Sequence, residues 1–154
     1  MAYGNYLASI SPEQVHLLRQ CVTSKLAPTK VVLVTHLTGY WVKHQPLGDL
    51  LGRALDGGEL LSSVLSHPLR DPKFHTPSEA LVLFRDISAV WHEVLMGEPF
   101  PEREWFREDI ERLLSVFERA VQDKHGVVSL LEPPLDAERA NHVHIPFDIP
   151  ATNT

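Results

Sequence analysis

Apolar residues recur with a helical period from Thr76 to Lys124, more regularly than anywhere else in the chain. In the first half of that stretch the positions are Leu81, Phe84, Ile87, Trp91 and Leu95, close to one residue every 3.6. Thr76-Pro77-Ser78-Glu79, just ahead of them, has the form of a capping box. The Thr hydroxyl can accept a free backbone N–H, and a Glu at the third helical position can reach back. Pro77 loses nothing at the first helical position, where its missing N–H would have no partner. Gly97 and Pro99 stop the helix. A second helix starts near Pro101, with Phe106, Ile110, Leu113, Leu114, Phe117, Ala120 and Val121 on its apolar face, and Gly126 ends it. The pattern thus predicts a helical pair, 77–96 and 101–124. Phe84, Trp91, Trp105, Phe106 and Phe117 are read as packing of that pair. The outer face of the second helix is charged, with Glu108–Arg112 at i,i+4 and Glu104–Arg107 at i,i+3.

Either side of this pair the elements are shorter. Tyr3 to Ile10 reads as a strand, and Ser11-Pro12-Glu13-Gln14 repeats the capping logic. Val15, Leu18, Cys21 and Val22 then form one face of a helix that ends before Pro28. Val31–Thr35 is short and β-branched, which favours a strand near 31–36, with Tyr40-Trp41-Val42 as a continuation after Gly39. Pro46 to Leu55 reads as a helix ended by Asp56-Gly57-Gly58. Glu59 to Thr76 reads as a loop, because Pro68, Pro72 and Pro77 interrupt it, with a helical or extended piece over Leu60–Leu65 at its start. Val127–Leu131 suits a buried strand that Pro133-Pro134 breaks. The expected fold is α+β: a small sheet against three to four helices. Residues 1–131 form one globular domain and 132–154 a Pro-rich extension, in which His142–Ile145 could add an edge strand.

A chain of 154 residues is long enough for one core. Its 44% hydrophobic and 22% charged residues are ordinary globular values. Lacking a long apolar run and a basic-then-apolar leader, it reads as neither membrane-spanning nor secreted, and a single cysteine, Cys21, excludes an internal disulfide framework. These points favour the cytoplasm. The net charge of −6 is uneven: residues 1–45 carry +3, while 46–97, 98–124 and 125–154 carry −3 each. An acidic majority argues against nucleic acid and permits docking on a basic protein surface.

Chemistry-bearing patterns are sparse. None of the nine histidines falls in HExxH, and His142-x-His144 has no third ligand nearby. The chain has no GxSxG, no phosphate-binding glycine loop and no dinucleotide fingerprint. No cofactor, no metal and no catalytic residue is expected. Leu69–His75 mixes charge, an aromatic ring and a histidine, types found at interface and ligand rims. Arg70, Asp71, Lys73, Phe74 and His75 are therefore interface candidates, joined by Glu104, Glu108 and Glu111 on the charged helix face.

The order of landmarks resembles the YfbM-like family of uncharacterised bacterial proteins. The matching residues are Gly4-Asn5-Tyr6-Leu7 with Ile10-Ser11-Pro12-Glu13, His36-Leu37-Thr38-Gly39, Pro46-Leu47 leading to Ala54-Leu55, Gly57-Gly58, and Thr76-Pro77-Ser78-Glu79. The resemblance covers most of residues 1–131. It implies a small α+β domain and carries over no catalytic residue. That family tends to place a Trp-containing helix before the segment matching Leu37-Thr38-Gly39, where this chain has Lys30–Val34, so strand and helix both stand for 30–42.

On this reading the protein is a small acidic protein-binding module, an immunity or inhibitor protein that neutralises a bacterial toxin. The alternative is a small enzyme or ligand-binding domain with a pocket near the 59–76 loop, where His36, His67, His75 and Arg70 would have to converge. A homo-oligomeric structural domain comes third.

Overall fold

The outermost pairing in the sequence, strand 4–10 with strand 126–132, forms the middle of the sheet. A computed structural model describes residues 4–19, 28–34, 37, 43–60, 70–97 and 104–132. The elements run β1 (Gly4–Ile10), α1 (Pro12–Arg19), β2 (Lys30–Val34), α2 (Gln45–Asp56), β3 (Glu59–Leu60), β4 (Arg70–His75), α3 (Pro77–Met96), α4 (Glu104–Asp123) and β5 (Gly126–Glu132). The strands make one five-stranded sheet in the order β2-β1-β5-β4-β3, with every neighbouring pair antiparallel. The fold is α+β. Lys30–Val34 is a strand, as its β-branched residues predict.

Alternation along the strands feeds two cores. On one face Leu7, Val32, Val34 and Val127 pack with the buried sides of α2, α3 and α4. On the other, Ala8, Ile10, Val31, Phe74, Val128 and Leu130 cluster with Val15 of α1. Among the polar side chains that the first face buries, the Asn5 amide donates to the Ser129 hydroxyl at 2.9 Å. Burial of such groups is tolerated because they satisfy each other.

The two sequence-local capping boxes form as expected. Ser11 Oγ accepts from the Gln14 N–H at 3.2 Å, and Gln14 Oε1 from the Ser11 N–H at 2.8 Å. Thr76 Oγ1 accepts from the Glu79 N–H at 3.2 Å, and Glu79 Oε1 from the Thr76 N–H at 2.9 Å. That backbone bond is the main reason the Glu79 carboxyl is held below its ordinary pKa.

Three expectations are corrected. Part of the 59–76 stretch, read as a loop, is strand: β3 and β4 pair antiparallel. Pro72 fits because the β4–β5 register is irregular between Arg70 and Lys73, where a missing N–H costs no regular ladder bond. The buried face of α3 is Ala80, Leu83, Ile87, Trp91 and Val94; Leu81 and Phe84 are half-buried and Leu95 is exposed. Reading by bulk overlooked Ala80, whose small side chain sits on the core line. Finally, Lys124 and not Gly126 ends α4. Lys124 lies in the left-handed region at φ 57°. Its N–H donates to Val121 O at 3.3 Å and the His125 N–H to Ala120 O at 2.8 Å, the bonds of a Schellman stop. The expected elements at 20–27, 40–42 and 142–145 lie outside the described residues.

Gly126 serves close approach instead. A β-carbon there would sit 2.3 Å from the His75 carbonyl oxygen and 2.3 Å from the Phe74 ring. Gly126→Ala is therefore expected to destabilise by at least about 2 kcal/mol. Lys124→Gly is expected to stabilise by roughly 0.5–1 kcal/mol, by relieving a left-handed backbone. Urea denaturation of both variants checks this, and equal small effects would contradict it. A second check uses pH. Because the folded Glu79 pKa is depressed, its contribution is full above the unfolded value of about 4.3 and is lost as pH falls through the folded one. The gap in urea midpoint between wild type and Glu79→Gln should close on acidification from pH 6 to about pH 3; a constant gap would count against the bond.

Candidate functional site

Two surfaces hold the residues singled out by sequence: the β4–α3 corner and the outer face of α4. At the corner, the strand alternates. Lys73 and His75 point to the helix-bearing face, and Phe74 to the other core. Lys73 pairs with Asp56 at the end of α2. The His75 side chain is only 3% exposed, and its Nε2–H donates to the Ala54 carbonyl at 3.1 Å. That bond places a proton on Nε2, and Nδ1 is buried with no hydrogen-bond partner. The ring also lies 6.3 Å from that of Phe117. Lys73, Phe74 and His75 are thus engaged in holding β4 to its neighbours. Arg70 and Asp71 stand on the same strand.

Beside His75 is a shallow pocket of about 270 Å³ lined by Arg53, Gly57, His75, Ser78, Glu79, Val82 and Leu83. The sequence had pointed to His75 but to neither Arg53 nor Ser78. Its volume falls just short of the usual range of small-molecule sites, and its lining mixes polar and apolar side chains. The Glu79 carboxylate is already committed to the capping box. Of the four residues expected to converge, His36 and His67 lie outside the described residues. Among the described residues, no three His, Cys, Asp or Glu side chains gather as a metal site would require.

The α4 face follows from one buried charge. Asp109 lies on the apolar side, 0% exposed, three residues after Phe106 and four before Leu113. A carboxylate out of water needs a cation. Arg112, half exposed, supplies it at 3.0 Å. The expected Glu108–Arg112 pair gives way to this Asp109–Arg112 pair. Arg107 binds Glu104 at 3.2 Å, as the spacing predicts, and Arg119 binds Asp123 at 2.8 Å. The Arg119 pair holds the Asp123 carboxyl below its ordinary pKa.

Each arginine described on α4 is therefore tied to a carboxylate of its own helix. Glu108 and Glu111 are exposed and have no cation beside them among the described residues. At roughly 100° per residue, Glu104, Glu108, Glu111 and Glu118 fall within an arc about 80° wide, with the arginines on its flanks. Glu118 was missed, although it follows Glu111 by one heptad. The Asp109 position was also readable from that phase, because it falls among apolar neighbours.

Removing Arg112 takes a cation from a buried carboxylate, whereas removing Arg119 takes one from a partly exposed carboxylate. Arg112→Ala is expected to cost about 1–3 kcal/mol, and Arg119→Ala distinctly less. Thermal and urea unfolding of the two variants measure the difference; equal costs would show that burial of Asp109 is not what holds Arg112.

No described helix is long and apolar enough to cross a membrane. No protein-family model matches the chain, and no curated protein matches it. Among solved structures, the chain is similar to YfbM from Escherichia coli, a protein of unknown function. The two share 15% identity at a TM-score of 0.51, over 85% of this chain and 99% of that one. At that identity the likeness is one of fold, and the fold of this chain is YfbM-like.

Proposed function

We propose that this protein is a binding module whose α4 outer face docks a basic protein surface, and that it serves as an immunity or inhibitor protein against a bacterial toxin. One observation carries the reading: buried Asp109 draws Arg112 away from Glu108, leaving Glu108 and Glu111 exposed beside Glu104 and Glu118. A stripe of like charge on a rigid helix steers a cationic partner and disfavours wrong ones. The net charge of −6 works in the same direction. The order of landmarks from Gly4 to Glu79, together with the shared fold, supports placing the chain in the YfbM-like family. A single cysteine, Cys21, suits a reducing compartment, and the proposed site of action is the bacterial cytoplasm.

A second reading rests on the pocket beside His75, where Arg53 and Ser78 offer donors and Val82 and Leu83 an apolar wall. In it the chain is a small ligand-binding domain or enzyme.

Co-expression with the toxic domain of a secreted protein encoded beside its gene tests the proposal and separates the readings. Wild type should restore growth. Glu108→Lys/Glu111→Lys should bind the toxic domain with an association rate at least about tenfold lower and with a weaker salt dependence. Ser78→Trp, which fills the pocket, should leave protection intact. A neighbourhood without a secreted toxin, or a charge-reversed variant that binds unchanged, contradicts the α4 reading. Loss of protection with Ser78→Trp alone favours the pocket.

A further inference from the structure

A different surface, on the solvent side of α3, has a pattern of its own. Val82, Ala89 and Met96 follow one another at seven-residue intervals and are all exposed, Val82 at 49% and Met96 at 72%. At roughly 100° per residue they form a line about 40° wide along the helix. Arg85 and His92 flank it on one side, Asp86 and Glu93 on the other, again seven apart and all exposed. These four charged or ionisable side chains have no ion-pair or hydrogen-bond partner among the described residues. Their own helix cannot supply one. The positions three and four away from Arg85 are Leu81, Val82, Ser88 and Ala89, and those around Asp86, His92 and Glu93 are likewise uncharged. On α4 the opposite holds, with each arginine spaced to a carboxylate.

We infer that α3 pairs with α3 of a second copy of this chain, side by side and parallel, about a two-fold axis that runs along the helices. Under that symmetry each seam residue meets itself. Ala89 against Ala89 at the centre lets the backbones approach, and Val82 and Met96 pack at either end. The same operation lays the basic flank of one helix along the acidic flank of the other. Arg85 comes beside Asp86 of the second copy and His92 beside its Glu93, and each contact occurs twice. An antiparallel pairing would set basic flank against basic and acidic against acidic, so the charges select the parallel register. Exposed ion pairs add little affinity; their effect is orientation. A contact of one helix per subunit is smaller than a standard stable interface, so the dimer is a weak one, with a dissociation constant in the micromolar range or above. Nothing in this assembly uses the α4 stripe.

Sedimentation equilibrium of the full chain, up to about 500 μM, reads the assembly directly. The expected result is a reversible monomer–dimer equilibrium. Ala89→Glu, on the axis, should weaken it at least tenfold. Arg85→Asp should also weaken it, and the swap Arg85→Asp/Asp86→Arg should restore it to within about threefold, because an isologous contact carries both halves of the exchange. Orientation is read by Val82→Cys in a Cys21→Ser background. Parallel helices bring the two thiols together, so mild oxidation should yield a covalent dimer. In an antiparallel pair centred on Ala89 they would be about 21 Å apart. Val82, Arg85, Asp86 and Ala89 are exposed, and circular dichroism of each variant checks that the fold is kept. A monomer at every concentration, a dimer indifferent to Ala89→Glu and Arg85→Asp, or no covalent dimer from Val82→Cys overturns the inference.

Discussion

Everything in this fold hangs on β5. It is the central strand, paired along its length with β1 on one side and with β4 on the other. Its alternating residues enter both cores, Val127 on the helical side and Val128 and Leu130 on the other. Its arrival is controlled by three residues: Lys124, turned left-handed to stop α4, then His125, then Gly126, pressed against Phe74 and the His75 carbonyl. A chain whose first and last described strands must meet at the middle of the sheet closes its longest loop to complete its core. That closure is an entropic cost set against burial on two faces.

What could be read from the sequence divides along the same line. Features made of residues three or four apart were legible, because their partners are fixed by helical geometry. The Thr76–Glu79 and Ser11–Gln14 boxes and the Glu104–Arg107 pair are of this kind. β4 was not legible, because its strand character comes from pairing with β5 over 50 residues away, while Pro72 argues locally against it. Asp109 was missed for another reason. A carboxylate on a charged helix was counted as surface, though its phase places it among Phe106, Ile110 and Leu113. That single misplacement changes which glutamates are left free, and so changes the site. Of the interface candidates, Lys73, Phe74 and His75 make contacts that hold β4 to its neighbours, whereas Glu108 and Glu111 are exposed.

The two long helices handle charge in opposite ways, and this gives the surface its character. On α4 the arginines are tied internally and a line of glutamates remains, the field that would steer a basic partner in the proposed function. On α3 Arg85 and His92 stand on one flank of an apolar line and Asp86 and Glu93 on the other, a definite pattern at short range. The first favours steering; the second favours register. Both are carried on 20-residue helices whose inner faces are anchored in one core, so neither surface needs to be ordered on binding.

The open glutamate stripe depends on Arg112 belonging to Asp109 and not to Glu108. A pair of double-mutant cycles measures this most directly: Asp109→Asn with Arg112→Gln, and Glu108→Gln with Arg112→Gln, each followed by urea denaturation. A coupling above about 1 kcal/mol in the first cycle and within about 0.3 kcal/mol of zero in the second is the predicted result. The reverse, with Glu108 coupled and Asp109 not, would leave the glutamate stripe neutralised and contradict the proposed function at its source.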